Sequence, residues 1–334
     1  MLQAKEKGAV MKNIFAILLI VLCSTMLYAS EKYLGYYQET STIKLERPAL
    51  SLYNVPYKNG FILIDSKKGL FYYNNSGKLL TSYEKKGKGP GEFQSLGLIT
   101  IGTNDSLFVV DSMMNKVIIF QYDQKINKII YVDDFNVNIG RITSICCYKD
   151  QLYMASAGGY NLINIYSLEG ELLRSEIPVS KDNYDIGGYW MTISGDVLLL
   201  AGATNFRLQF FTITKTGLNL VKTCKTNYNH EKGWDKKKSQ SKGLFAVYPI
   251  KEGFIVTFDP NDSTKYRFIE KFDVKGNYKG TIRLGNKKNK TMYLGFRFSD
   301  DGNRVLYQYI KTTLGIPTSI SSDRITEATF ITDK

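Results

Sequence analysis

The residues Leu107-Phe108-Val109-Val110-Asp111 form an apolar run that ends in an aspartate, and Thr103-Asn104-Asp105 stand shortly before it. Asn and Asp tolerate the positive φ angles that tight hairpin turns demand. A run that is apolar at successive positions is typical of a strand buried on both faces. The stretch therefore predicts a turn followed by a strand that is covered on both of its sides.

Five other stretches have the same form and follow similar turns. The first residues of the six copies are separated by 46, 45, 45, 57 and 51 positions. The other copies are Phe61–Asp65, Leu152–Ser156, Val197–Ala201, Phe254–Phe258 and Val305–Tyr309. A near-regular period of this length is the signature of a repeat architecture.

Further apolar segments flank each copy, such as Ile142–Cys147 before the third copy and Asn161–Ser167 and Glu171–Ile177 after it. No helical periodicity of useful length follows residue 30. Each unit therefore predicts four antiparallel strands. Six such units predict an all-β fold, the six-bladed β-propeller.

The ring has to close, because a single blade cannot cover its two apolar faces and the last blade must meet the first. Ser41–Arg47 and Ile325–Thr332 both have the composition of strands. We expect one of these terminal strands to supply the outer strand of the closing blade. The alternative is two β-sandwich domains of about 150 residues each, which leaves the regular spacing unexplained.

The first 29 residues differ from the rest of the chain. Lys12 precedes the apolar run Ile14–Leu22, and Ser24–Ala29 then leads to the polar Ser30. This is the layout of a secretory signal peptide, and the run is too short for a bilayer, which needs about 20 residues. We expect residues 1–29 to be a signal peptide and residues 30–334 to be one exported propeller domain.

Two alternatives concern the same segment. Met11 directly precedes the charged residue and is a possible true start. Cys23 admits a lipoprotein, which would tether the domain to a membrane, although the preceding residue is Leu22 and such a position is normally small. No later stretch is apolar and long enough to be a membrane anchor.

Charge and cysteine content restrict the function further. The formal net charge is +13, of which residues 1–29 carry +2 and the remainder +11. This balance attracts polyanions, but exported proteins rarely meet nucleic acid, so we expect a solvated basic surface and no nucleic-acid partner. The expected mature chain keeps three of the four cysteines, Cys146, Cys147 and Cys224, and an odd number with one adjacent pair does not predict a disulfide framework. His230 is the only histidine, which excludes a multi-histidine metal site.

A glycine-rich motif, Gly87-Lys88-Gly89-Pro90-Gly91-Glu92-Phe93, stands between the first two repeats. With Gly77-Lys78-Leu79-Leu80 before it and Lys116-Val117-Ile118-Ile119-Phe120 after it, the motif resembles the NHL-like six-bladed β-propeller family of exported Bacteroides-type proteins. The resemblance is clearest over residues 60–122. It implies the fold and an extracytoplasmic location, in the periplasm or at the cell surface of a bacterium, and it implies almost nothing about activity.

The motif has a functional and a structural interpretation. A glycine loop that cradles phosphate needs a following helix N-terminus, whereas this loop enters a strand, so we expect a crossing from the outer strand of blade 1 to the innermost strand of blade 2. Asp65 and Asp111 end equivalent strands, but the equivalent residues in the other repeats are not acidic. These aspartates predict hydrogen bonds to turn amides rather than a ring of metal ligands.

The candidate ligand-binding residues form two groups. The insertion Asn227–Gly243 accounts for the extra length of the 57-residue spacing, and long loops on rigid scaffolds often carry binding. Its candidates are Trp234, Lys236 and Lys237. The second group, expected near the starts of innermost strands and lining the channel, is Arg141, Tyr189, Trp190 and Arg297. The alternatives are a disordered solubilising loop for the first group and core packing for the second.

The sequence contains no catalytic constellation. We expect a non-enzymatic binding or scaffold propeller that recognises a peptide, glycan or partner protein on its loop face and needs no cofactor. The alternative is a hydrolase or lyase with a cation such as Ca²⁺ held by carboxylates in the central channel.

Overall fold

The computed structural model describes residues 33–49, 51, 53–180, 185, 187–226, 244–258, 267–284, 291–313, 316–320 and 324–332. The chain divides into two compact units, Met1–Tyr33 and Leu34–Lys334. The expected signal peptide lies outside the described residues, so the fold below is that of the second unit. The described residues contain strands and turns, and none of them forms a helix that could cross a membrane.

The strands form a six-bladed β-propeller of four-stranded antiparallel blades, as predicted. Blade 1 contains β2 (Asn54–Tyr57), β3 (Gly60–Asp65), β4 (Gly69–Asn74) and β5 (Leu79–Tyr83). Blade 2 contains β6 (Leu96–Ile101), β7 (Leu107–Asp111), β8 (Lys116–Asp123) and β9 (Lys128–Asn136). Blade 3 contains β10 (Arg141–Tyr148), β11 (Gln151–Ala157), β12 (Asn161–Ser167) and β13 (Leu172–Pro178).

The second half of the ring repeats this order. Blade 4 contains β14 (Tyr189–Ser194), β15 (Val197–Gly202), β16 (Arg207–Ile213) and β17 (Leu218–Lys225). Blade 5 contains β18 (Leu244–Ile250), β19 (Gly253–Phe258), β20 (Arg267–Asp273) and β21 (Tyr278–Leu284). The last strands are β22 (Thr291–Phe298), β23 (Arg304–Thr313), β24 (Ile316–Ile320) and β25 (Arg324–Thr332), and the chain begins with β1 (Tyr33–Lys44).

The first strand of each blade faces the central axis. Each of these strands contacts the first strands of the two neighbouring blades, and β22 contacts β2, so the six form one closed circle. The fourth strands, such as β13 and β17, are the most exposed. The single circle excludes the alternative of two sandwiches.

Both termini build the closing blade, whose strand order is β22-β23-β25-β1. The N-terminal strand β1 is its outer strand and pairs antiparallel with β25, from Gly35 opposite Thr332 to Lys44 opposite Arg324. The strand begins earlier than the predicted Ser41–Arg47, because matching the full length of β25 requires the residues from Gly35 onward. In addition, β1 is hydrogen-bonded to β21, which joins blades 5 and 6 into one nine-stranded sheet.

Six apolar clusters fill the spaces between neighbouring blades, one cluster for each interface. The second strands explain why. In β7, Leu107 and Val109 pack in the cluster shared with blade 1, whereas Phe108 and Val110 pack in the cluster shared with blade 3. Adjacent residues of a strand point to opposite faces, so a strand between two neighbours has to be apolar throughout.

The turn between the third and fourth strands packs on the preceding blade in blades 1 to 5. Each of these turns has one residue with positive φ that touches that blade: Gly77, Asn127, Gly170, Gly217 and Gly276. At Gly170, with a φ of 92°, an added Cβ would lie 2.3 Å from Cγ of Phe135 in β9. Glycine is required there by both the backbone angle and the close approach.

Replacing this glycine tests how tightly the blades are packed. Gly170→Ala should lower the free energy of unfolding by about 3 kcal/mol, because it adds a steric clash to a left-handed backbone angle. Urea-induced unfolding followed by circular dichroism measures the change.

Gly158→Ala is the matched control, since its φ is 80° and an added Cβ would meet nothing within 4 Å. It should cost about 1 kcal/mol, the conformational penalty alone. Equal losses in the two variants would show that the Phe135 contact is unimportant.

Candidate functional site

The two faces of the propeller carry different connections. The linker face carries the linkers between blades, described for 84–95, 137–140 and part of 179–188, and the loops after the second strands at 66–68, 112–115, 158–160 and 203–206. The turn face carries the hairpin turns that join the first to the second and the third to the fourth strands. Loops on a rigid scaffold are the usual site of binding, and the linker face has the larger ones.

The glycine motif is an ordered crossing on the linker face, as its structural interpretation predicted. The Gly87 amide donates to the Phe93 carbonyl oxygen at 3.1 Å, and the Gly89 amide donates to Oε2 of Glu92 at 2.9 Å. The Gly91 amide donates to Oδ2 of Asp134 at 3.1 Å. These three amides are already hydrogen-bonded within the protein, so they do not form a phosphate cradle.

A buried lysine holds this crossing against blade 2. Lys116 is 5% exposed, and its Nζ lies 3.4 Å from the Gly89 carbonyl oxygen, 3.3 Å from that of Glu92 and 3.2 Å from Oδ2 of Asp134. A buried ammonium is tolerated only when its charge and its protons are satisfied, and here all three partners are oxygens. Lys116 therefore has a structural role.

The aspartates at the ends of the second strands bond amides, as predicted. Asp65 accepts from the Lys67 and Lys68 amides of its own loop. Asp111 accepts from four amides, two in the linker that enters blade 2 and two in the following loop: Gln94, Ser95, Met113 and Met114. In blade 4 the carboxylate comes from the linker instead, where Asp185 accepts from the Thr204 and Asn205 amides.

Removing the Asp111 carboxylate should loosen the linker face of blade 2. Asp111→Ala leaves four amides without their acceptor, and we expect a loss of about 3 kcal/mol in the free energy of unfolding. The control is Asp123→Ala, whose carboxylate accepts from two amides in an exposed turn and should cost about 1 kcal/mol or less. Chemical denaturation compares them, and a similar loss in both would contradict the bridging role of Asp111.

The predicted channel residues at the starts of β10 and β14 differ in how exposed their side chains are. Arg141, the first residue of β10, is exposed. Tyr189 is buried between blades 3 and 4, and Trp190 is half-buried against the cluster between blades 4 and 5. The core-packing alternative therefore describes these two side chains, which leaves Arg141 as the accessible member at this end of the channel.

The remaining predicted residues are not in this neighbourhood. Arg297 is the seventh of the eight residues of β22, so it lies near the turn face and not near the start of its strand. Burial, together with the positive charge of Arg304, lowers the pKa of its guanidinium. Trp234, Lys236 and Lys237 lie outside the described residues. A ligand-binding role for these residues stays a prediction.

The sequence analysis missed two exposed side chains on the linker face. Tyr160 is 95% exposed and Met113 is 70% exposed, each in the loop after a second strand. The loop of Tyr160 is held in place, because the Val179 amide donates to the Tyr160 carbonyl oxygen at 2.9 Å. The loop also begins next to Arg141, because Ala157, the residue just before the loop, pairs with Arg141. The sequence feature that could have indicated Tyr160 is the preceding pair Gly158-Gly159. Two glycines predict a turn, and Tyr160 then has no apolar residue directly beside it in the sequence.

Metal-ligating and nucleophilic side chains are the remaining candidates for chemistry. Among the described residues, no group of three or more His, Cys, Asp or Glu is placed to hold a metal ion. Burial raises the pKa of the Cys146 thiol to about 12 and also raises the pKa values of Cys147 and Cys224. Thiols with raised pKa values are poor nucleophiles, which agrees with cysteines that pack as small apolar residues.

Comparisons with known proteins agree with the fold. A family model described as a 6-bladed beta-propeller matches residues 43–173. A comparison with curated proteins finds no match.

Several solved structures are similar at low sequence identity. An exported protein from Bacteroides fragilis is 12% identical, covers 91% of this chain and 100% of its own, and superposes with a TM-score of 0.59. A chain of the mitotic checkpoint complex is 12% identical, with coverages of 89% and 95% and a TM-score of 0.52. At this identity the likeness shows the propeller architecture alone.

Proposed function

We propose that this chain is a non-enzymatic binding propeller of the NHL-like type, which acts outside the cytoplasm and recognises a peptide, glycan or partner protein on its linker face. The observation that carries the proposal is Tyr160, a tyrosine that is 95% exposed on an ordered loop beside the exposed Arg141. Tyrosine and arginine are enriched among the residues that dominate binding energy.

The surroundings of Tyr160 support this role. A side chain on an ordered loop loses little conformational freedom on binding, and Met113 adds an exposed, adaptable apolar group on the neighbouring blade. The similar propeller from the mitotic checkpoint complex comes from a multiprotein assembly, which is in keeping with a protein among the ligand classes.

The ligand is sought by screening the purified protein against peptide and glycan arrays, followed by affinity measurements. Tyr160→Ala and Arg141→Ala should each weaken binding by at least tenfold, because a buried aromatic or arginine anchor contributes about 2 kcal/mol or more to binding. Ile126→Ala, which truncates a side chain 55% exposed on the turn face, should leave the affinity unchanged.

Unchanged affinity in both the Tyr160 and the Arg141 variants would contradict binding at this face. So would an equal loss in the Ile126 control.

We also propose that residues 1–29 export the chain and are cleaved after Ala29. Cell fractionation and mass spectrometry of the N-terminus should find a mature chain that starts at Ser30 outside the cytoplasm. The variant Cys23→Ser should be processed identically. An acylated Cys23 at the N-terminus would show that the chain is lipidated and not cleaved after Ala29. An uncleaved cytoplasmic chain would contradict export.

A further inference from the structure

We propose that the linker face binds a linear anionic polysaccharide through five lysines of blade 1 and of the crossing to blade 2. These lysines, the lysine patch, are Lys67, Lys68, Lys85, Lys86 and Lys88. The inference rests on the proposed function and names a ligand class for that face.

The lysine patch is exposed and poorly neutralised. All five lysines are exposed, and Lys68 alone has a carboxylate near, Oδ2 of Asp65 at 3.9 Å. Of the local acids, Glu84 makes two hydrogen bonds of 2.6 and 2.7 Å with Arg47. Glu92 accepts from the Gly89 amide and keeps its negative charge, so the patch is partly offset. Within the described ranges, the other four lysines have no carboxylate within 4.0 Å.

The turn face is built differently, although it also carries many lysines. There Lys58 pairs with Asp105 of the next blade at 3.3 Å, and Lys149 pairs with Asp196 of the next blade at 3.3 Å. These two lysines are therefore paired between blades, whereas four of the five patch lysines have no carboxylate within 4.0 Å among the described residues. The clustered positive charge of the patch attracts anions.

The patch is held by an ordered loop. Nζ of Lys86 lies 4.3 Å from the centroid of the Phe93 ring and 3.2 Å from the Gln94 carbonyl oxygen. Nζ of Lys85 lies 5.8 Å from the centroid of the Tyr83 ring. The loop backbone is fixed by the hydrogen bonds of the glycine motif and by Lys116. Fixed cations lose less conformational freedom when they bind an extended polymer.

The composition of the patch selects the class of polyanion. Its charges are spread along two loops and do not converge on one pocket, which suits a polymer with a charge on each repeat and not a single phosphate. The rings beside it are covered, since Phe93 is 0% and Tyr83 is 7% exposed, so stacking on nucleic-acid bases is absent from the patch. Among the described residues the patch also has no exposed large apolar side chain to insert into a membrane.

The test compares two variants of equal charge. In one, all five patch lysines are replaced by Gln. In the other, five exposed lysines of the turn face are replaced by Gln: Lys125, Lys128, Lys215, Lys251 and Lys275. The probes are heparin and polygalacturonate, with neutral dextran as the blank, and affinities are measured at low and at physiological salt.

We expect the patch variant to lose at least tenfold in affinity for both polyanions, and the turn-face variant to lose less than twofold. Replacing the five patch lysines by Arg should retain binding, because charge at these positions is what is required. Both Gln variants are checked by urea unfolding. Affinity should fall steeply with salt for the wild-type protein.

Three results would overturn the inference: equal losses in the two Gln variants, no binding of the wild-type protein to either polyanion at low salt, or tighter binding of single-stranded DNA or phosphatidylserine vesicles than of the polysaccharides. If the patch variant keeps its affinity while Tyr160→Ala loses it, the polysaccharide inference is wrong, but the proposal of binding at the linker face is retained. If neither variant changes binding, the proposed function fails as well.

Discussion

A four-stranded blade with two apolar faces cannot shield itself from water, and each blade in this protein is therefore completed by both of its neighbours. The free energy gained by burying apolar surface is roughly proportional to the area removed from water. The six interfaces together therefore supply most of the driving force for folding. The pairing of β1 with β25 is what allows the sixth interface to exist. The ring consequently couples residues at opposite ends of the sequence.

The polar residues follow from this arrangement, because the apolar interfaces leave the two faces and the outer strands of the ring for charge. On the turn face, side chains about one repeat apart bridge consecutive blades, as Tyr57 does to the Asp105 carbonyl oxygen. On the linker face, the carboxylates of Asp111 and Asp185 satisfy backbone amides where the chain crosses between blades. Both faces therefore use polar groups to join neighbouring blades, and the linker face carries the exposed lysine patch in addition.

The six second strands could be predicted from sequence because burial on both faces demands continuous apolarity, a pattern that needs no alignment. The roles of Asp65 and Asp111 were also predictable, because a carboxylate at the end of a buried strand lies next to the amides of the following turn. The start of β1 and the place of Arg297 were not, because edge and innermost strands are buried on fewer sides and carry weaker patterns. Tyr160 was missed because a single exposed ring has no periodicity.

Proteins with very different sequences share this architecture. A structure that is 12% identical covers 91% of the chain, which is possible because the interfaces require apolar residues of suitable volume and not particular ones. The loops of the linker face contribute some apolar side chains to the clusters, such as Phe93, Val137 and Phe206, whereas their exposed positions can change without opening the ring. Lys85, Lys86 and Lys88 occupy such exposed positions. Among the described residues, only the Lys86 ammonium of these three donates a hydrogen bond within the crossing, to the Gln94 carbonyl oxygen. A charge that folding does not require is the part of this molecule that recognition best explains.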